Sequence, residues 1–278
     1  MAYVRPAPGG LTYSLCRYRG SKLQFRGPKR RPEGRNWVAF LGGTETFGKF
    51  IPRPFPVQVE AAVGRMCVNL GWSNAGPDVL LRDPGLLPLA GRAGAVVLAV
   101  PCACNLSNRY YRVHPRRNDR FVRATARLER LYPEVDFTAF HFTRHLLGHL
   151  SALSPARFAV VREELQLAWM ERMGAALARL EAPVVLLWFS ARAPTEGGAR
   201  AAPEEDPALV TRLMLDRLAP RVRQVLEVTA SPAARAAGTQ GMVLTPMEEP
   251  AARHMLGPAA HREAAAALAP VVRELLAT

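Results

Sequence analysis

The chain has 278 residues, an ordinary apolar share of 49% and a formal charge of +14, from 37 Lys and Arg against 23 Asp and Glu. That length suffices for one large domain with a buried core. No apolar run approaches the ~20 residues of a membrane span, which excludes a helical membrane protein.

Lysine occurs only at positions 22, 29 and 49, so the excess charge is carried by arginine. A GC-rich genome gives this composition without functional pressure. The alternative is an anionic partner such as a phosphorylated or sulfated sugar. The start, Met-Ala-Tyr-Val-Arg-Pro, lacks the apolar core of a secretory signal, so the expected location is cytoplasmic. Cys16, Cys67, Cys102 and Cys104 are then expected as reduced thiols.

Residues 1–35 read as an irregular basic arm, with Arg26, Lys29, Arg30, Arg31 and Arg35 among Gly27, Pro28, Pro32 and Gly34. Such a run reads as solvated. No nucleic-acid signature accompanies it, which argues against DNA or RNA as partner. Residues 36–278 read as a single α/β domain. Apolar strands are predicted at 37–41, 66–70, 95–101, 183–189 and 222–228. Helical segments start near Pro56, pass through Val79 and Leu80, and close the chain over 258–276. Strands alternating with helices predict a parallel sheet of about five strands, covered on both faces.

Residues 105–182 read as a helical cap inserted between strands three and four. Ser154-Pro155 supplies an N-cap and first helical residue for a helix to about Leu180. Ala191–Asp206 reads as a mobile loop.

The stretch Trp37 to Gly48 organises the rest. A buried strand ends at Gly42-Gly43 and delivers Thr44, Glu45 and Thr46 to a polar turn, the place where open α/β sheets bind ligands. Gly43 to Lys49 fits a phosphate loop only up to Lys49. Phe50 stands where Ser or Thr would hold magnesium, and Pro52, Pro54 and Pro56 obstruct the required helix. His141, His145 and His149 share a helical spacing, but Phe142 replaces the glutamate of a zinc-protease motif. They read as histidines on a partly buried face. Cys102 and Cys104 read as small core residues facing the same way. No cofactor or metal is expected.

Four blocks resemble the SGNH (GDSL-like) hydrolase superfamily. They are Gly42-Gly43-Thr44-Glu45-Thr46-Phe47-Gly48 after strand one, Gly71 with Asn74-Ala75-Gly76 after strand two, Asn105 after strand three, and His254 or His261 before the last helix. The resemblance implies a three-layer, flavodoxin-like sheet and an esterase or acyl-transferring enzyme. Thr44 would be the nucleophile and His254 the base, with the Gly71 amide and Asn105 side chain stabilising the oxyanion. Glu45, Asn74, Arg109, Arg116 and Arg117 would bind a small-molecule or glycan substrate, anionic in part. The chain departs from the pattern at Thr44 (serine in the family), Gly43 (aspartate) and Ala251 or Pro258, where the orienting aspartate would precede the histidine. The competing expectation is a non-catalytic protein that binds an anionic sugar or nucleotide-like ligand in the same cleft. Over most of its length the chain also resembles a bacterial family known only as a domain of unknown function. Arg26–Arg30, Phe40–Phe50, Asn105–Tyr111 and His114–Phe121 carry that resemblance.

Overall fold

The computed structural model describes residues 9–196 and 206–277. Its centre is a five-stranded parallel sheet. The strands are β1 (Trp37–Gly42), β2 (Met66–Gly71), β3 (Ala95–Ala99), β6 (Val184–Ser190) and β7 (Gln224–Thr229), in the order β2-β1-β3-β6-β7. A separate antiparallel ribbon pairs β4 (Tyr111–Val113) with β5 (Phe121–Ala124).

Helices α1 (Thr44–Phe47), α2 (Phe55–Val63), α3 (Pro77–Arg82) and α4 (Leu86–Ala90) fall within the first half of the sheet's connections. Helices α5 (Ala126–Leu131), α6 (Thr143–Leu153) and α7 (Pro155–Leu177) follow the ribbon. Helices α8 (Arg212–Leu218), α9 (Pro232–Ala237), α10 (Glu249–Ala252) and α11 (Pro258–Ala277) complete the chain. Ser154 caps α7 as its sequence predicts, its side chain accepting from the Arg157 N–H.

The strands carry unbroken apolar runs because both faces of a parallel sheet are buried. Alternate residues enter two cores. Trp37, Ala39, Leu41, Val96, Leu98, Leu186 and Trp188 pack with residues of α3, α4, α7 and α8. Val38, Phe40, Val97, Val185, Leu187 and Phe189 pack with those of α2, α9 and α11. Helices therefore cover both sides of the sheet.

Residues 9–35 are irregular but not a solvated arm. Tyr18, Leu23 and Phe25 are buried in the first core, and the Arg26 guanidinium donates to the carbonyls of Phe47, Gly48 and Pro52. Three apolar side chains outweigh the surrounding charge, since each buried one contributes ~1.5–3 kcal/mol. Residues 1–8 of the expected arm, and residues 197–205 of the expected loop Ala191–Asp206, lie outside the described residues.

His261 is a packing residue. It is 1% exposed, accepts the Phe55 N–H at Nδ1 (3.1 Å) and stacks on Phe55 with Phe189 edge-on. Burial, then the Arg26 charge, lower its pKa from 6.5 to about 3. The unfolded chain takes up this proton below pH 6.5 and the folded chain does not. His261 therefore contributes stability that is complete above pH 6.5 and is lost as pH falls toward 3, by roughly a few kcal/mol. Unfolding midpoints are expected to drop over that window, and His261→Gln is expected to flatten the drop.

Candidate functional site

One cavity of ≈ 870 Å³ opens where β1, β3 and β6 end. Thr44 and Glu45 reach it from β1, Cys102 and Asn105 from beyond β3, and Ser190 and Arg192 from β6. Thr143 and Arg144 at the start of α6, Asp119 before β5, and His254 before α11 complete its wall.

The β1 turn is fixed from below. Buried Asn69 donates through Nδ2 to the Thr46 carbonyl (2.7 Å), and its Oδ1 accepts the Gly71 N–H (2.9 Å). This clamps α1 onto β2. The expected oxyanion role for Gly71 is therefore corrected: its N–H is committed to Asn69, and Gly71 does not line the cavity. It is a glycine because a Cβ there would lie 2.3 Å from the Phe47 nitrogen.

Three residues on, Asn74 takes positive φ (58°) and meets Thr44 twice. The Asn74 N–H donates to Thr44 Oγ1 (3.0 Å), and the Thr44 hydroxyl donates to Asn74 Oδ1 (3.1 Å). Asn74 Nδ2 donates in turn to Asp119 Oδ2 (3.2 Å). Asp119 Oδ1 is buried and has no hydrogen-bond partner among the described residues.

Asn105 is 6% exposed. The Thr143 hydroxyl donates to its Oδ1 at 2.7 Å. That bond fixes the amide's orientation and leaves Nδ2, with its two N–H donors, unpaired among the described residues. His254 is exposed on the cavity rim and makes no hydrogen bond among the described residues. Of the two candidate histidines it is the one at the cavity. Neither nearby glutamate orients it: Glu248 closes a capping box with Thr245, and Glu249 pairs with Arg253.

The charged lining is mixed. Arg144 pairs with Asp206, and Arg192 and Arg235 lie beside them. Burial, then the Asp206 charge, push the Glu45 carboxyl up to about 7. Near neutral pH it can give or take a proton inside the cavity.

The three arginines expected to bind substrate lie elsewhere. Arg109 Nε donates to Glu164 Oε2 of α7 (2.6 Å) in a second groove, shared with Arg82, Arg112 and Arg172. Arg116 and Arg117 are exposed and absent from the cavity wall, and their N–H groups close a turn onto His114 Nδ1. That segment supplies the wall through other residues. Asn118, fully buried, accepts the Gly76 N–H (3.0 Å) and donates to the His114 carbonyl, which carries Asp119 into place.

Arg144, Asp119, Cys102 and Asp206 are cavity residues that pattern reading missed. Thr143 opening a helix was the available signal for Arg144. Nothing in the spacing marks Asp206. His145 and His149 are exposed and flank the Phe140 ring at 4.9 and 5.2 Å, so the buried face expected for them is corrected. Among the described residues no three His, Cys, Asp or Glu gather as a metal-ion site, and no helix is long and apolar enough to cross a membrane.

A family model, Domain of unknown function (DUF6473), matches residues 1–276, so the chain belongs to that family. No curated protein and no solved structure matches it.

Proposed function

We propose that the cavity of this family member hydrolyses or transfers an acyl ester in an SGNH-type arrangement, with Thr44 as nucleophile. One observation carries the reading: Thr44 and Asn105, from loops distant in sequence, line the same cavity. A hydroxyl and an amide donor facing one cavity are what acyl transfer requires. The strand order β2-β1-β3-β6-β7 supports it by bringing loops distant in sequence to one rim.

In this reading the Thr44 oxygen bonds to the ester carbonyl carbon and its proton passes to His254. The carbonyl oxygen takes the negative charge and accepts from Asn105 Nδ2. Collapse breaks the carbon–oxygen bond to the leaving alcohol, which receives the proton from His254. Water or a second alcohol then releases the acyl group by the reverse order of transfers. The Thr44 hydroxyl donates to Asn74 Oδ1 at rest, so it must rotate toward His254 before attack. The mixture of Arg144, Arg192 and Arg235 with Glu45, Asp119 and Asp206 suits a hydroxyl-rich substrate such as an O-acylated sugar.

A second reading, ligand binding without turnover, is favoured by that same Thr44–Asn74 pairing and by the lack of a carboxylate on His254 among the described residues. Turnover of short acyl esters and acetylated sugars separates the two. The wild type is expected to hydrolyse at least one, Thr44→Ala to fall to background, and Thr44→Ser, with a less hindered hydroxyl, to match or exceed the wild type. A Thr44→Ala protein as fast as wild type would falsify the catalytic reading.

A further inference from the structure

Two of the four cysteines stand together at the cavity, Cys102 in its wall and Cys104 beneath. Cys104 donates its S–H to Cys102 Sγ across 3.0 Å, and both are free thiols. Cys102 is 7% exposed and lines the cavity, whereas Cys104 is fully buried behind it. We propose that Cys102 and Cys104 form a reversible thiol–disulfide site whose substrate is a small disulfide that reaches Cys102 from the cavity.

The backbone permits the bond. A disulfide needs Cα atoms about 4.4–6.8 Å apart, and two extended residues span at most ~7 Å. Here the chain leaves β3 and bends from Ala103 onward, which shortens that span and turns both sulfurs to one side. So small a ring is strained when closed, and strained disulfides are the readily reduced ones. The bond is therefore expected to be reversible rather than a permanent staple.

The order of events follows from burial. Cys102 meets the incoming disulfide first, as the thiol reachable from the cavity. Its sulfur attacks one sulfur of the small disulfide, the old sulfur–sulfur bond breaks, and one small thiolate leaves. Cys104 then attacks Cys102 Sγ and expels the second thiolate. The two cysteine protons end on the two released thiols, so two cysteine thiols are oxidised and one small disulfide is reduced. Hydrogen bonding to Cys102, then burial, hold the Cys104 thiol well above its usual range, while the Arg144 charge acts the other way. Cys104 thus serves as the resolving thiol and not as the attacking one.

Oxidation reaches the rest of the cavity through Asn105. Cys104 Sγ lies 3.5 Å from Asn105 Oδ1, and its carbonyl accepts from the Tyr111 hydroxyl (2.6 Å). Closing the bond removes that thiol hydrogen and retightens the turn that carries the Asn105 amide. This thiol exchange is independent of any ester chemistry at Thr44 and is read without turnover.

The test holds the native full chain in glutathione buffers running from fully reduced to fully oxidised. Each sample is unfolded in a maleimide quench and peptide-mapped by mass spectrometry. The peptide with Cys102 and Cys104 is expected to go from two maleimides to none, with loss of two hydrogens, and to recover with dithiothreitol. Cys16 and Cys67 should not join it in a cross-link. Cys104→Ser is expected to stop at one glutathione on Cys102. If both thiols of the wild type still take maleimide in fully oxidised glutathione, or if the link runs to Cys16 or Cys67, the proposal is wrong. The wild-type map decides the matter even where the variant does not fold.

Discussion

Asn105→Ala is expected to lower kcat for ester turnover by about 10²–10³, with a smaller change in KM. That is the usual cost of one oxyanion donor. The side chain is already oriented to donate, because its Oδ1 is occupied by the Thr143 hydroxyl at 2.7 Å and the donor end is unpaired among the described residues. The loss falls on kcat because the bond forms fully only when negative charge develops on the carbonyl oxygen. Removing the amide also strands the Thr143 hydroxyl in a buried place, at about 1–3 kcal/mol of stability. Rates therefore need to be compared well below the unfolding transition. Thr143→Val separates the two effects, since it keeps the donor and frees its orientation, and a fall milder than that of Asn105→Ala is expected. Equal kcat in wild type and Asn105→Ala would remove the amide from the mechanism.

Gly76→Ala is expected to be the most damaging small substitution in the cavity's framework. A Cβ on Gly76 would lie 1.7 Å from the Asn105 carbonyl oxygen and 2.7 Å from its carbonyl carbon. These are backbone atoms, so no side chain can swing aside, and one of the two loops must move. The Gly76 N–H is also tied to Asn118, which resists movement from the other side. A loss of more than about 3 kcal/mol is expected, at the upper end for an overpacked site, with a fall in Tm of roughly 6–10 °C. Gly64→Ala is the matched control. Gly64 has positive φ (67°) but open space around its missing Cβ, and its cost should stay near ~1 kcal/mol. Similar denaturation midpoints for the two variants would show that the loops yield more easily than their contact implies.

The sheet was legible because burial on both faces writes each strand as an apolar run. All five strands lie within a few residues of their predicted bounds, and α2, α3, α7 and α11 stand where their Pro and Ser signals put them. The ribbon of β4 and β5 was not legible. Its strands are three and four residues long, and its arginines masked the alternation. Arg109 could not be placed from sequence because its partner, Glu164, lies 55 residues further on. The block resemblance pointed to the loop after β2, but it could not tell which amide faces outward. Asn69, two residues before Gly71, decides that by taking the Gly71 N–H. The choice between the histidines could have been made. His261, Ala264, Ala265, Leu268, Val272 and Leu275 form one buried stripe of α11, so a helical wheel puts His261 in the core and leaves His254 for the cavity.

A covalent label read by peptide mapping reports whether Thr44 attacks an electrophile in the cavity. An alkyl fluorophosphonate offered to the native protein should lose fluoride and leave its phosphonyl group on Thr44 Oγ1, with no label in Thr44→Ala. A Thr44 peptide that stays unmodified while the probe is consumed at another residue, or is not consumed at all, would contradict the assignment of Thr44 as the attacking group.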